Sequence, residues 1–203
     1  DSLYPATQTH NAIQGGVAIL TISVFIMWKW GGYRDFIGLD QLWGLGKLLF
    51  GISLLWFWFF ISSLMVLWYG KKPNERDVLQ ILMFGNYLPI FVSTFFFVCI
   101  VPFFCLTLDK IRKSFYGPPI IALSVLIGNF LDRLRHYGSA YSLDRTMDEA
   151  THRFANLPEI AIPNIVDLMV IFGAVSFPIF LILLVTKYIP VISIWENREY
   201  KLY

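Results

Sequence analysis

Charge is what this sequence has least of. Only 15% of its 203 residues are Asp, Glu, Lys or Arg, where a soluble domain carries about 25%. The formal net charge of +2 is too small for an electrostatic footprint on nucleic acid, so no nucleic-acid partner is expected. Cysteine is nearly absent as well. Cys99 and Cys105 lie six residues apart in one apolar run, which turns them to roughly opposite faces of a helix. They are expected to pack, not to form a disulfide or hold a metal. No Cys/His cluster has metal-ligand spacing, so this chain is expected to hold no iron–sulfur cluster itself. Also missing are a P-loop, G-x-S-x-G, H-E-x-x-H and an intramembrane histidine pair at haem-binding spacing. These absences argue against an independent enzyme. The sequence starts at Asp1 with no signal peptide, so a processed chain, or part of a longer one, is expected.

Apolar residues fill the space that charge leaves. The chain is 57% hydrophobic and 18% aromatic, with a mean hydropathy of +0.61. A bilayer core of ~30 Å needs ~20 apolar residues per helix. Five runs qualify, at roughly 12–30, 42–69, 84–108, 118–134 and 160–187. Only helices keep the backbone hydrogen-bonded over such runs. The expected fold is therefore an all-α integral membrane protein, a single bundle of about five transmembrane helices over residues 1–203. Pro89 and Pro102 should kink the third span. Gly15–Gly16 and Ser62–Ser63 permit close helix contact. Trp28, Trp30, Trp68 and Tyr69, beside lysines, read as interfacial anchors, and most of "WFWFF" at 56–60 should face lipid or a partner helix.

Five spans put the two termini on opposite sides. The amino-end side carries seven Lys/Arg and the other side nine. The positive-inside rule then favours a cytoplasmic carboxyl end.

The polar residues inside the spans are the chemical signal. In "GNFLDRLRHYG", Asn129, Asp132, Arg133 and His136 share one helical face. Asn164 and Asp167 are three apart on the fifth span, with Asp167 about two turns inside the apolar run. An acid at that depth faces a bundle interior or a partner charge, for which Arg133 or Arg135 is the candidate. Two readings stay open: an Asp–Arg pair that pins two helix ends, or a proton-conducting or redox-linked cluster. Asp40, with Lys47 seven residues on, is either a helix N-cap or a second polar station. His10 and Asn11 stand at the mouth of the first span, as solvated or capping residues or as ligands. The proton-route candidates are thus Asp40, Lys47, Asn129, Asp132, Arg133, His136 and Asp167.

Three blocks of sequence together resemble a known pattern. "LDQLWGLGKLLFGISLLWFWFFISSLMVLWYGKKPNERDVL" runs from Leu39 and Asp40 through Gly46 and Lys47 to Trp68, Tyr69, Gly70, Pro73 and Glu75. "LDRLRH" follows "DKIRKS". The third block, "NLPEIAIPNIVDLMVIFGAV", begins with Pro158 and Glu159 and leads to "KYIPVISIWE" with Lys187, Pro190, Val191 and Glu196. This resembles the polysulfide-reductase-like NrfD/PsrC membrane subunits, most nearly the large membrane subunits of alternative complex III. The chain is similar to the carboxyl-terminal half of that family's ten-helix form, whose quinol pocket is mainly assigned to the amino-terminal half.

The resemblance implies a membrane subunit of a respiratory quinol:acceptor oxidoreductase in a bacterial inner membrane. The expected partners are membrane lipid, a homologous membrane subunit, a peripheral iron–sulfur subunit and a cytochrome c-type subunit. Menaquinol or ubiquinol would be the reductant, with His10 and Asp40 as candidate quinone contacts. Lys71, Lys72, Glu75, Tyr137, Tyr141 and Phe154, on two loops of one side, are the candidate docking residues. The alternatives are the quinone-reactive anchor of a molybdopterin oxidoreductase, a secondary transporter or its half, and a pure assembly subunit.

Overall fold

A computed structural model describes residues 3–70, 79–142, 147–148, 153–154 and 164–188. The chain divides into two compact units, Asp1–Ile160 and Ala161–Tyr203. The first contains α1 (Tyr4–Trp30), α2 (Leu39–Gly70), a π-helical turn π1 (Gln80–Phe84), α3 (Leu88–Phe95), a second π turn π2 (Phe96–Ile100), α4 (Val101–Thr107), α5 (Asp109–Arg112) and α6 (Gly117–Ser142). A two-stranded antiparallel ladder follows, β1 (Met147–Asp148) with β2 (Arg153–Phe154). The second unit's described helix is α7 (Ile165–Tyr188).

The architecture is the all-α membrane bundle that the apolar runs imply. Among the described residues, four helical stretches are long and apolar enough to cross a membrane: α1, α2, Leu88–Thr107 and Ile165–Val185. The fourth expected span, α6, falls outside that set because its last turns carry Asp132, Arg133, Arg135 and His136. Yet α6 is the helix around which the first unit is built, packing on α1, α2, α3, π2 and α4. Its Ile121, Ala122 and Val125 join Ala18, Leu49 and Leu106 in a buried apolar core.

Two helices run further than the apolar runs do. α1 starts at Tyr4, not near Ala12, and α6 continues to Ser142, not Leu134. The reason is where the polar residues point. His10, Asn11 and Gln14 are buried, as are Asp132, Arg135 and Ser139. Hydropathy reports the lipid-facing stretch of a helix and stops short at turns whose polar side chains face protein. The fifth span differs the other way, since its helix begins at Ile165 after Asn164.

The third span is broken as its prolines suggest, though only one acts as expected. Pro89 lies in the first turn of α3, where a missing N–H costs nothing. Pro102 has the larger effect. In π2 the Val101 N–H donates to Phe96 O, an i→i+5 bond. Continuing that pattern, Phe97 O would need the N–H of residue 102, and proline has none. Ser124 Oγ on α6 donates to Phe97 O instead, at 3.1 Å. One turn on, Gly128 lies against Val98 and the Phe97 Cβ so closely that a methyl group there would overlap Val98. Ser124 and Gly128 thus form one docking face for the irregular turn.

The aromatic block splits by helical position. Trp56 is buried and stacks on Phe60, with centroids 5.6 Å apart and planes 3° from parallel. Trp58 is 67% exposed and faces outward. Cys99 and Cys105 are free, partly buried thiols.

Candidate functional site: a polar-floored cleft

α1 and α6 run antiparallel and meet through polar side chains at one end of the first unit. Asp132 is the centre, 3% exposed, beside Arg135 at 6%. Asp132 Oδ2 accepts from Asn11 Nδ2 at 3.0 Å, and Oδ1 accepts from an Arg135 terminal nitrogen at 2.8 Å. The Arg135 guanidinium lies 5.1 Å from the Phe91 ring centroid, a cation–π contact from α3. A buried charge is retained when it is paired and hydrogen-bonded, and Asp132 has both kinds of partner. Arg133, on the neighbouring face, donates to the Gln8 carbonyl at 3.4 Å.

His136 is held by its own helix. Its Nδ1 lies 2.8 Å from the Asp132 backbone oxygen and 3.5 Å from Asp132 Oδ1. A carbonyl oxygen only accepts, so Nδ1 carries the hydrogen. In the neutral ring Nε2 is then the acceptor. His10, two turns inside α1, contacts the Phe59 ring at 5.5 Å. Its Nε2 is buried with no protein partner among the described residues. Deeper on α1, Gln14 Nε2 donates to Ser53 Oγ at 3.0 Å.

A cleft of about 540 Å³ opens over this cluster. His10, Asn11, Asp132, Arg135 and His136 make its polar floor. Trp56, Phe59, Phe60, Leu64, Leu67, Leu82 and Met83 make apolar walls. The volume falls in the range of pockets for small organic ligands, ~300–1,000 Å³. The chemistry fits a flat ring with polar substituents at one end and an apolar chain at the other.

The expected site residues divide. His10, Asp132 and His136 come together in the cleft, with Arg133 beside it. Asn129 is buried one turn from Asp132, its Nδ2 facing the Gly15 backbone. Asp40 and Lys47 lie near the other end of α2. Asp40 precedes Phe59 by about 28 Å of helix at 1.5 Å per residue, so it does not share a site with His10. Nor is Asp40 the N-cap, since α2 already includes Leu39 and the Gly38 N–H donates to Gln41 Oε1 at 2.8 Å. Lys47 Nζ sits 3.2 Å over the Trp43 ring centroid.

Asp167, in the second unit, lies in the first turn of α7 and not two turns deep. Its Oδ2 accepts the Asn164 backbone N–H at 2.8 Å, the N3-to-cap half of a capping box. Of the docking candidates, Tyr137 is exposed on α6. Tyr141 falls in the last turn of α6 and Phe154 on β2. Lys71, Lys72 and Glu75 lie outside the described residues, as do Pro73, Pro158, Glu159, Pro190, Val191 and Glu196.

Several residues of the site carry no sequence label of their own. Arg135 pairs with Asp132 at i,i+3 spacing, where the sequence offers Arg133 or Arg135 to Asp167. Asn11 and Gln14 are three apart, which marks one polar face once α1 is carried back to Tyr4. Trp56, Phe59 and Phe60 look like any membrane aromatics until the cleft is seen. Compared with protein-family models and with curated proteins, the sequence matches none.

Proposed function

We propose that this chain is a membrane subunit of a respiratory quinol:acceptor oxidoreductase and that the cleft seats the quinol head. The observation that carries the proposal is the cleft itself, with two histidines and an ion pair at one end of an aromatic and aliphatic slot. A quinol has two O–H groups on a flat ring with an apolar tail. Its oxidation releases two protons and two electrons. His136 Nε2 accepts one hydroxyl proton, and the Asp132 carboxylate stabilises the imidazolium that forms. The buried His10 Nε2 accepts the other. Trp56, Phe59 and Phe60 enclose the ring, and Leu64 and Leu67 guide the tail toward lipid. The two electrons would pass to iron–sulfur and haem groups held by partner subunits. The protons leave past Asp132 and Arg133.

Loop charge supports a bacterial inner membrane orientation with the cleft on the periplasmic side and the carboxyl tail in the cytoplasm. Docking of an extrinsic redox subunit near Tyr137 follows from that placement. The resemblance of the three sequence blocks to alternative complex III subunits supports the same assignment. A molybdopterin oxidoreductase anchor would use the same cleft with reversed electron flow.

The test is purification in mild detergent followed by quinol turnover. Haem and iron–sulfur proteins should co-purify, and His136→Gln should lower turnover roughly 10²-fold without loss of assembly. A lone chain with no redox partner, or a His136→Gln complex with full turnover, would remove the proposal.

A further inference from the structure

The opposite end of the first unit carries a second cluster, made of cations and aromatic rings. α1 ends in Trp28, Lys29 and Trp30, α2 begins with Trp43 and Lys47, and α5 with its following turn supplies Lys110, Arg112, Lys113, Phe115 and Tyr116. Trp28 stacks on Phe115 at 4.4 Å and 11°, and Arg34 lies 5.4 Å from the same indole. Lys29 Nζ sits 4.8 Å from the Trp30 centroid and 5.5 Å from that of Tyr116. Two lysines converge on one ring: Lys47 Nζ at 3.2 Å and Lys113 Nζ at 5.6 Å from the Trp43 centroid.

Two ammonium groups brought to one ring repel each other, and few acids oppose them. Asp109 accepts from Lys113 at 3.3 Å and from Arg112. Lys113 first, then Arg112, hold its carboxyl below the ordinary carboxylate range, so it stays ionised and cancels one charge. With Asp35 and Asp40 also at this end, three carboxylates stand against six cations, Lys29, Arg34, Lys47, Lys110, Arg112 and Lys113. The cluster stands at the ends of helices long and apolar enough to cross a membrane, and its mix of tryptophan and lysine is the composition of a membrane–water interface. An ammonium held over a ring keeps its outer side for an anion, and Lys113, which gives one of its three N–H donors to Asp109, keeps the others.

We infer that Lys47 and Lys113, converging on Trp43, form a binding site for the phosphate of an anionic phospholipid. Trp43 fixes both ammonium groups, and the lipid phosphate bridges them. The acyl chains then lie along the exposed apolar face of α2, where Leu48 and Leu55 point outward. The site is independent of the quinol cleft and rests only on the membrane fold.

The full chain is reconstituted in nanodiscs of phosphatidylcholine containing a minor fraction of phosphatidylglycerol, then extracted in mild detergent. Lipids that remain bound are counted by mass spectrometry. Wild type should retain phosphatidylglycerol well above its nanodisc fraction. Lys47→Gln/Lys113→Gln should lose that enrichment, by roughly fivefold for each lysine. Lys47→Arg/Lys113→Arg should keep it. Retained lipid that matches the nanodisc composition in wild type would overturn the site without reference to any variant. Undiminished enrichment in a monodisperse double-glutamine variant would also overturn it.

Discussion

At the scale of single residues, Asp132 decides most. It ties α1 to α6 through Asn11, neutralises Arg135, and lies beneath the imidazole of His136. Asp132→Ala leaves the Arg135 charge buried without its partner, and such losses cost about 3–5 kcal/mol. Thermal unfolding in detergent should show that loss directly. Arg135→Met, which removes the other charge, should leave Asp132 equally stranded and destabilise to a similar degree. The double variant Asp132→Asn/Arg135→Met should recover much of the stability, because no buried charge remains. Recovery of stability without recovery of turnover would separate the structural role of the pair from its chemical one. The shared face of Asn129, Asp132 and His136 was legible in sequence, while Arg133, expected on it, turns to the Gln8 carbonyl on the neighbouring face. The Asp132–Arg135 pair also follows from i,i+3 spacing; the sequence instead offered the arginines to Asp167, whose carboxylate accepts the Asn164 backbone N–H.

At the scale of elements, the irregular third span and α6 must be considered together. Pro102 removes the donor that Phe97 O needs, Ser124 supplies one, and Gly128 gives the backbone room. Gly128→Ala should push π2 from α6 and destabilise by about 1–3 kcal/mol, the usual range for overpacking. Ser124→Ala should cost about 1 kcal/mol, as for one lost hydrogen bond. The two should not add, because they act on one contact; melting of both single variants and the double variant checks this. Sequence marked the prolines but not their different effects. Pro89 starts a helix and Pro102 interrupts one, and the difference depends on Gly85–Tyr87 turning the chain before α3. Helix ends were misplaced for a related reason. The early start of α1 and late end of α6 lie in polar turns that bury their side chains against each other, and an apolar window cannot register them.

At the scale of the whole molecule, membrane class was legible because a bilayer imposes length and apolarity on each crossing helix. The cleft was not legible, because its walls come from α1, α2, α6 and the π1 turn that precedes the third span, and no local pattern encodes their meeting. Topology remains a matter of charge counting. A cysteine placed at Asn197 should be shielded from an impermeant reagent in intact cells, and one at Asn74 should be labelled; the reverse pattern would invert the orientation. The central claim, that a quinol head enters the polar-floored cleft, is tested most directly by a photoreactive quinone analogue and peptide mapping of its adducts. The account predicts adducts on the α1 segment around His10 and the α2 segment around Phe59–Leu67, suppressed by excess quinol. Adducts confined to other segments, or labelling there that excess quinol leaves unchanged, would contradict it.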